Sequence, residues 1–182
     1  MIDRIAVWEA ASASVAETAR KAIDTLNDGG IPILVTGGLA VIAYGYDAAT
    51  RDVDLIVPDF ESAHRFMLAQ GYRAAIRVPI GVIDPETGVR IDILPGGKSL
   101  SPRCPVNFPV PTELGYNYVT LPELISTKLG SFLEGDIDRL KDKVAVIELI
   151  KANELPRDFP GLDPAIQGLY HEIWDERAGR RA

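Results

Sequence analysis

The residues of this 182-residue chain whose types and spacing bear most on chemistry are three aspartates and a glycine pair. Asp52 and Asp54 lie in Arg51-Asp52-Val53-Asp54-Leu55-Ile56-Val57, an apolar stretch that predicts a strand. Side chains at i and i+2 of a strand share a face, so the two carboxylates stand side by side while Val53, Leu55 and Val57 turn to the core. Carboxylates held that close repel unless a cation or a proton lies between them. Asp92 is enclosed in a second apolar strand, Val89-Arg90-Ile91-Asp92-Ile93-Leu94. An unpaired carboxylate buried there is costly. If the two strands pair, a third carboxylate joins the patch. Three oxygen donors without His or Cys describe a magnesium site rather than a zinc site.

Gly37-Gly38 follows a short apolar stretch, Ile31-Pro32-Ile33-Leu34-Val35, and precedes a helix predicted from Leu39 to Tyr44. A strand, a glycine turn and a helix start present backbone N–H groups and the positive end of the helix dipole. Glycine also lets a phosphate chain approach the backbone closely. An anion cradle beside magnesium carboxylates suits a nucleoside triphosphate (NTP).

The elements that must position these residues follow from periodicity. A helix is expected over 10–28, with Val15, Ala19, Ala22, Ile23 and Leu26 inward and Gly29-Gly30 as its stop. Further helices are expected over 60–70, 121–134, 137–152 and 164–178, and a strand over 72–80 before the polar turn at Asp84–Gly88. Five prolines between Pro95 and Pro111 make an irregular crossing. The expected plan is a mixed α/β (α+β) fold in three parts. Residues 1–95 form the core, 96–120 a proline-rich loop, and 121–182 helices that pack on the core rather than fold alone.

Composition narrows the class. With 47% hydrophobic and 25% charged residues the chain is an ordinary globular one, and no apolar run reaches the length of a membrane span. Met1-Ile2-Asp3-Arg4 lacks the opening of a signal peptide, and a single cysteine, Cys104, rules out an internal disulfide; a cytoplasmic protein is expected. The net charge of −7 does not suit a surface that coats nucleic acid. Nine acidic against four basic residues fall in 1–60, leaving the remainder near neutral and able to carry a local basic face.

Gly37-Gly38-Leu39-Ala40-Val41-Ile42-Ala43-Tyr44-Gly45, followed by Thr50-Arg51-Asp52-Val53-Asp54-Leu55 and later by Asp92, resembles the signature of minimal nucleotidyltransferases of the DNA polymerase β-type superfamily. Within it, Lys128 and Arg139-Leu140-Lys141-Asp142 resemble elements of the AbiEii/AbiGii-like group of toxin–antitoxin and phage-defence systems. The resemblance spans about residues 30–150. It implies that Asp52 and Asp54 bind two magnesium ions (manganese is also accepted) and that Asp92 completes the site as, or beside, the base. It further implies that Gly37, Gly38, Thr50, Arg51 and Lys128 contact the nucleotide. The acceptor implied is a hydroxyl on a tRNA or other RNA, a protein, or a small molecule such as an aminoglycoside; an antitoxin protein is an implied partner. Ala48 departs from the pattern, since relatives often carry arginine there; the triphosphate lacks that positive charge unless Arg51 or a helical residue replaces it, which bears on nucleotide affinity more than on the metal site. A binding module of the same fold without turnover is the alternative.

Other signals are weaker. Gly96-Gly97-Lys98-Ser99 ends like a phosphate-binding loop, but Asp92 stands where that motif starts and Pro102 breaks the helix it needs. Lys128 reads either as a phosphate contact or as a surface lysine whose stem covers apolar atoms. Asp142 with Lys128 or Arg139 reads as an ion pair. His64, His171 and Cys104 have no companions that make them catalytic.

Overall fold

The computed structural model describes residues 11–75, 81–99, 101–135 and 139–179. Helix α1, Ala13–Asp28, buries Val15, Ala16, Ala19, Ala22, Ile23 and Leu26 along one stripe. It ends where Gly30 takes a positive φ of 71° and the Ile31 N–H turns back to the Leu26 carbonyl at 2.9 Å. The sheet has strands β1 Leu34–Val35, β2 Asp52–Val57, β3 Arg73–Ala74, β4 Gly81–Ile83 and β5 Arg90–Pro95, in the order β1-β2-β5-β4-β3. Only β2 and β5 run parallel, side by side at the centre.

Helices α2 (Gly37–Ala43) and α3 (Phe60–Ala69) belong to this first part, and α4 (Leu121–Phe132), α5 (Leu140–Ala152) and α6 (Gln167–Gly179) to the second. The sheet separates two apolar clusters. One face carries Val53, Leu55, Val57, Ile91 and Ile93 against α1 and α3. On the other face only the far ends of the central strands, Ile56 and Leu94, are apolar, and they pack with Leu124, Ile125, Val146, Leu149 and Tyr170 of the C-terminal helices. Each such side chain, fully buried, contributes about 1.5–3 kcal/mol. Helix α2 sits between the clusters, with Leu39 and Ile42 in one and Ala40 and Val41 in the other.

Local signals set the helix starts. Asp59 caps α3, its Oδ1 accepting the Glu61 and Ser62 N–H groups at 3.0 and 3.3 Å. Thr120 and Glu123 form the capping box of α4, with the Thr120 N–H donating to Glu123 Oε2 at 2.8 Å.

Several expected boundaries move. Regular pairing on the edge strand is confined to Leu34–Val35, and α2 begins at Gly37 rather than Leu39, so the glycines form the helix's first turn. The strand expected over 72–80 is paired only at Arg73–Ala74, and residues 76–80 lie outside the described residues. A separate strand at Gly81–Ile83 lines β5; a Cβ at Gly81 would lie 2.6 Å from the Ile91 carbonyl oxygen, so glycine permits that backbone approach. The last helix opens with a 3₁₀ turn, Pro164–Ile166, capped by Asp163. No helix among the described residues is long and apolar enough to cross a membrane.

Candidate active site

The parallel register of β2 and β5 pairs Asp52 with Arg90 and Asp54 with Asp92. Paired residues of neighbouring strands share a face, so these four side chains form one charged square at the strands' N-terminal ends. The residues between them, Val53 and Ile91, are completely buried on the opposite face. A cleft of about 870 Å³ opens over the square. It is lined by every residue expected from the sequence: Gly37, Gly38, Thr50, Arg51, Asp52, Asp54, Asp92 and Lys128. Arg90, Arg139, Lys141 and Asp142 line it too, as does Ala48.

The glycine pair is demanded first by the protein itself. Strand β1 runs antiparallel to β2, and the Thr36 N–H donates to the Asp54 carbonyl at 3.0 Å. The next residue therefore passes directly over the Asp54 side chain. Gly37 has a φ of 62°, and a Cβ there would fall on the Asp54 carboxylate. A Cβ at Gly38 would lie 2.5 Å from Thr50 Oγ1. That hydroxyl donates to the Asp52 carbonyl at 3.1 Å, which fixes Thr50 against the strand entrance.

Electrostatics in the square are unbalanced. Burial pushes the Asp54 carboxyl up to about 6; Asp52 and Asp92 add to the rise, while Lys128 and Arg90 oppose it. Asp92 is raised for the same leading reason, burial, and its side chain is 11% exposed. One nitrogen of Arg90, Nη2, donates to Asp52 Oδ2 at 2.8 Å and to Asp92 Oδ2 at 2.9 Å. Asp92 Oδ1 and Arg90 Nε are buried without a hydrogen-bond partner. Among the described residues, no group of three Asp, Glu, His or Cys side chains is arranged to hold a metal ion. The three carboxylates share a face of the sheet, and the arginine lies between two of them.

On the facing helices, Lys128 Nζ of α4 donates to Asp142 Oδ1 of α5 at 2.7 Å, and both side chains are largely buried. Lys128 is thus at once an ion-pair partner and a cleft residue whose charge reaches Asp54. Arg139 reaches Glu134 at 3.3 Å and Asp142 at 3.8 Å from the cleft's rim. Arg90 was missed as a site residue in the sequence. Its signal was present, because Arg90 stands two positions before Asp92 and obeys the same alternation.

The remaining candidates stay outside the chemistry. Gly96-Gly97 ties the proline-rich loop to the sheet, with the Gly97 N–H donating to the Phe108 carbonyl at 2.8 Å, and among the described residues no helix follows it directly. Cys104 donates to the Val106 carbonyl at 3.4 Å, and burial pushes its thiol up. His64 stacks on Phe60, and His171 packs against Tyr170 and approaches Asp158 at 3.3 Å.

No family model matches the chain, and no curated protein matches it significantly. Several solved structures resemble it in three dimensions, two of them of the same protein. The solution structure of the antibiotic-resistance factor ANT(2'')-Ia superposes with a TM-score of 0.52 at 12% identity, covering 90% of this chain and 92% of that one. A crystal structure of ANT(2'')-Ia in complex with adenylyl-2''-tobramycin gives 0.53 at 12% identity, covering 89% and 97%. At that identity the likeness is one of fold. The chain has the mixed α/β, nucleotidyltransferase-like fold over nearly its whole length.

Proposed function

We propose that the protein is a nucleotidyltransferase of the DNA polymerase β type, moving a nucleoside monophosphate from an NTP to an acceptor hydroxyl. The observation that carries the reading is the register that sets Asp52, Asp54 and Asp92 on one face beneath a cleft also lined by Lys128, Arg139 and Lys141. The donor set fits a hard divalent cation: three carboxylates, a buried unpartnered Asp92 Oδ1, and an Asp54 carboxyl pushed up by burial and by the neighbouring Asp52 charge. Asp52, Asp54 and Asp92 would hold two magnesium ions, with manganese a substitute. Bound there, magnesium would neutralise the triphosphate and acidify the acceptor hydroxyl.

The chain's own groups supply the rest. Arg51, Lys128, Arg139 and Lys141 provide the positive charge that Ala48 does not, facing the phosphates across the cleft. The acceptor oxygen bonds to the α-phosphorus, the bond to the β-phosphate oxygen breaks, and pyrophosphate leaves. Asp92 Oδ1, unpartnered and on a carboxyl with a raised pKa, takes the acceptor's proton. Positioning and charge neutralisation account for most of the barrier lowering in such a displacement.

The helical Lys128 and Arg139–Asp142 pairing supports a place near the AbiEii/AbiGii-like branch. Likeness to a protein solved with an adenylylated aminoglycoside, over nearly all of both chains, favours a small polyhydroxylated acceptor over RNA; the net charge of −7 points the same way. Incubation with each NTP, magnesium, and separate pools of aminoglycosides, total tRNA and protein tests the reading by mass. A nucleoside-monophosphate adduct in any pool supports transfer, and the pool identifies the acceptor. Adducts on tRNA would instead support the toxin role and an antitoxin partner. One observation favours a second reading, a nucleotide-binding module without turnover: Arg90 already bridges two of the three carboxylates. Magnesium-dependent NTP binding without pyrophosphate release would select it.

A further inference from the structure

We propose that Arg90 is the resident counter-cation of the carboxylate site: it holds Asp52 and Asp92 while no metal is bound, and a divalent cation enters only by displacing it. The proposal rests on the reading of Asp52, Asp54 and Asp92 as metal ligands, and adds a residue that competes with the metal. Arg90 has no alternative placement on its strand. The register fixes it opposite Asp52 and two residues before Asp92, so its side chain lies between two of the carboxylates that would hold a metal. One nitrogen meets both, at 2.8 and 2.9 Å.

The bridge is an imperfect one. It leaves Asp92 Oδ1 and Arg90 Nε buried and unpartnered, and it leaves Asp54 unserved by any hydrogen bond from Arg90. A cation with six oxygen ligands satisfies the carboxylate atoms better than a single guanidinium nitrogen does. Displacement then needs a destination for the arginine. The planar guanidinium matches phosphate oxygens, and the same cleft that would hold a triphosphate is lined by Arg90. Arg90 therefore exchanges carboxylate for phosphate as metal and nucleotide arrive together, and metal alone binds poorly.

Binding of manganese alone, read from the electron paramagnetic resonance signal of the free ion, tests this on the full chain. Arg90→Gln is expected to bind manganese at least tenfold more tightly than the parent, and adding Asp92→Asn to Arg90→Gln is expected to abolish the gain. Equal affinity in the parent and Arg90→Gln overturns the proposal, as does a gain that persists in the double variant. If Arg90→Gln does not give the parent's circular dichroism, Arg90→Met, which matches the arginine stem in length, is read by the same criteria. Failure of nucleotidyl transfer in the parent would strike the enzymatic reading and leave this binding comparison unaffected.

Discussion

The raised Asp54 pKa has a consequence for stability that is large enough to measure. A carboxyl with a pKa of about 6 in the folded chain, against 3.8 for the ordinary group, binds more protons folded than unfolded between those values. Its contribution is fully present below the ordinary value and is lost as pH rises through 6. Linkage gives a loss of about 1.4 kcal/mol between about pH 5 and pH 7.5, and about 2 kcal/mol from about pH 4. Asp92 is shifted in the same direction and steepens the fall. Asp84, Asp59 and Asp175 have lowered pKa values, so their stabilisation is lost only as pH falls below the ordinary carboxylate range. Urea unfolding in EDTA across this range is the assay, with Asp54→Asn as the comparison. The parent should weaken steadily from about pH 5 to 7.5, and Asp54→Asn should lose most of that slope and be the more stable at neutral pH. Magnesium added together with an NTP at pH 7.5 should restore stability to the parent and not to the variant. A parent whose stability is flat or rises over this range would refute the crowded-carboxylate reasoning.

Lys128→Ala leaves Asp142 buried without its 2.7 Å partner and should cost about 3 kcal/mol, measured by urea unfolding. Because Lys128 opposes the Asp54 shift, the midpoint of the pH-dependent loss should also move upward in that variant. Gly37→Ala must place a Cβ on the Asp54 carboxylate at a positive φ, and should destabilise by about 2 kcal/mol or more in thermal unfolding. Gly38→Ala instead pushes Thr50 away, and should weaken NTP binding, read by calorimetry, more than it lowers the melting temperature. In EDTA, Arg90→Gln should melt earlier than the parent through repulsion between Asp52 and Asp92, and magnesium should recover the difference.

The shared face of Asp52 and Asp54 was legible from the sequence because alternation needs only local information. Val53, Leu55 and Ile91 fix which face is core, and the aspartates must then take the other. That Asp92 joins Asp54 depended on strand pairing, which an ionisable residue inside an apolar strand already hinted at. Arg90 obeys the same alternation, but its bridge from Asp52 to Asp92 forms only once the two strands pair. The requirement for Gly37 was legible as a turn but not as a contact with Asp54, since that contact arises from the antiparallel register of β1 on β2. Helical periodicity located α4 and α5 without revealing how they cross, so the Lys128–Asp142 pair remained one of two options until the crossing was known. Strands of two or three residues, such as β3 and β4, are too short to carry a period and are set by pairing with β5 and each other.

Single-turnover transfer with magnesium and an α-labelled NTP, comparing the parent with Asp92→Asn, tests the assignment of the site most directly. Asp92→Asn keeps the side chain's shape while removing the charge that takes the acceptor's proton. The expected result is retained NTP binding with label transfer reduced by roughly two orders of magnitude or more, the scale lost when a general base is removed. Transfer by Asp92→Asn at the parent's rate, or label that remains in the NTP with every acceptor for the parent itself, would contradict it.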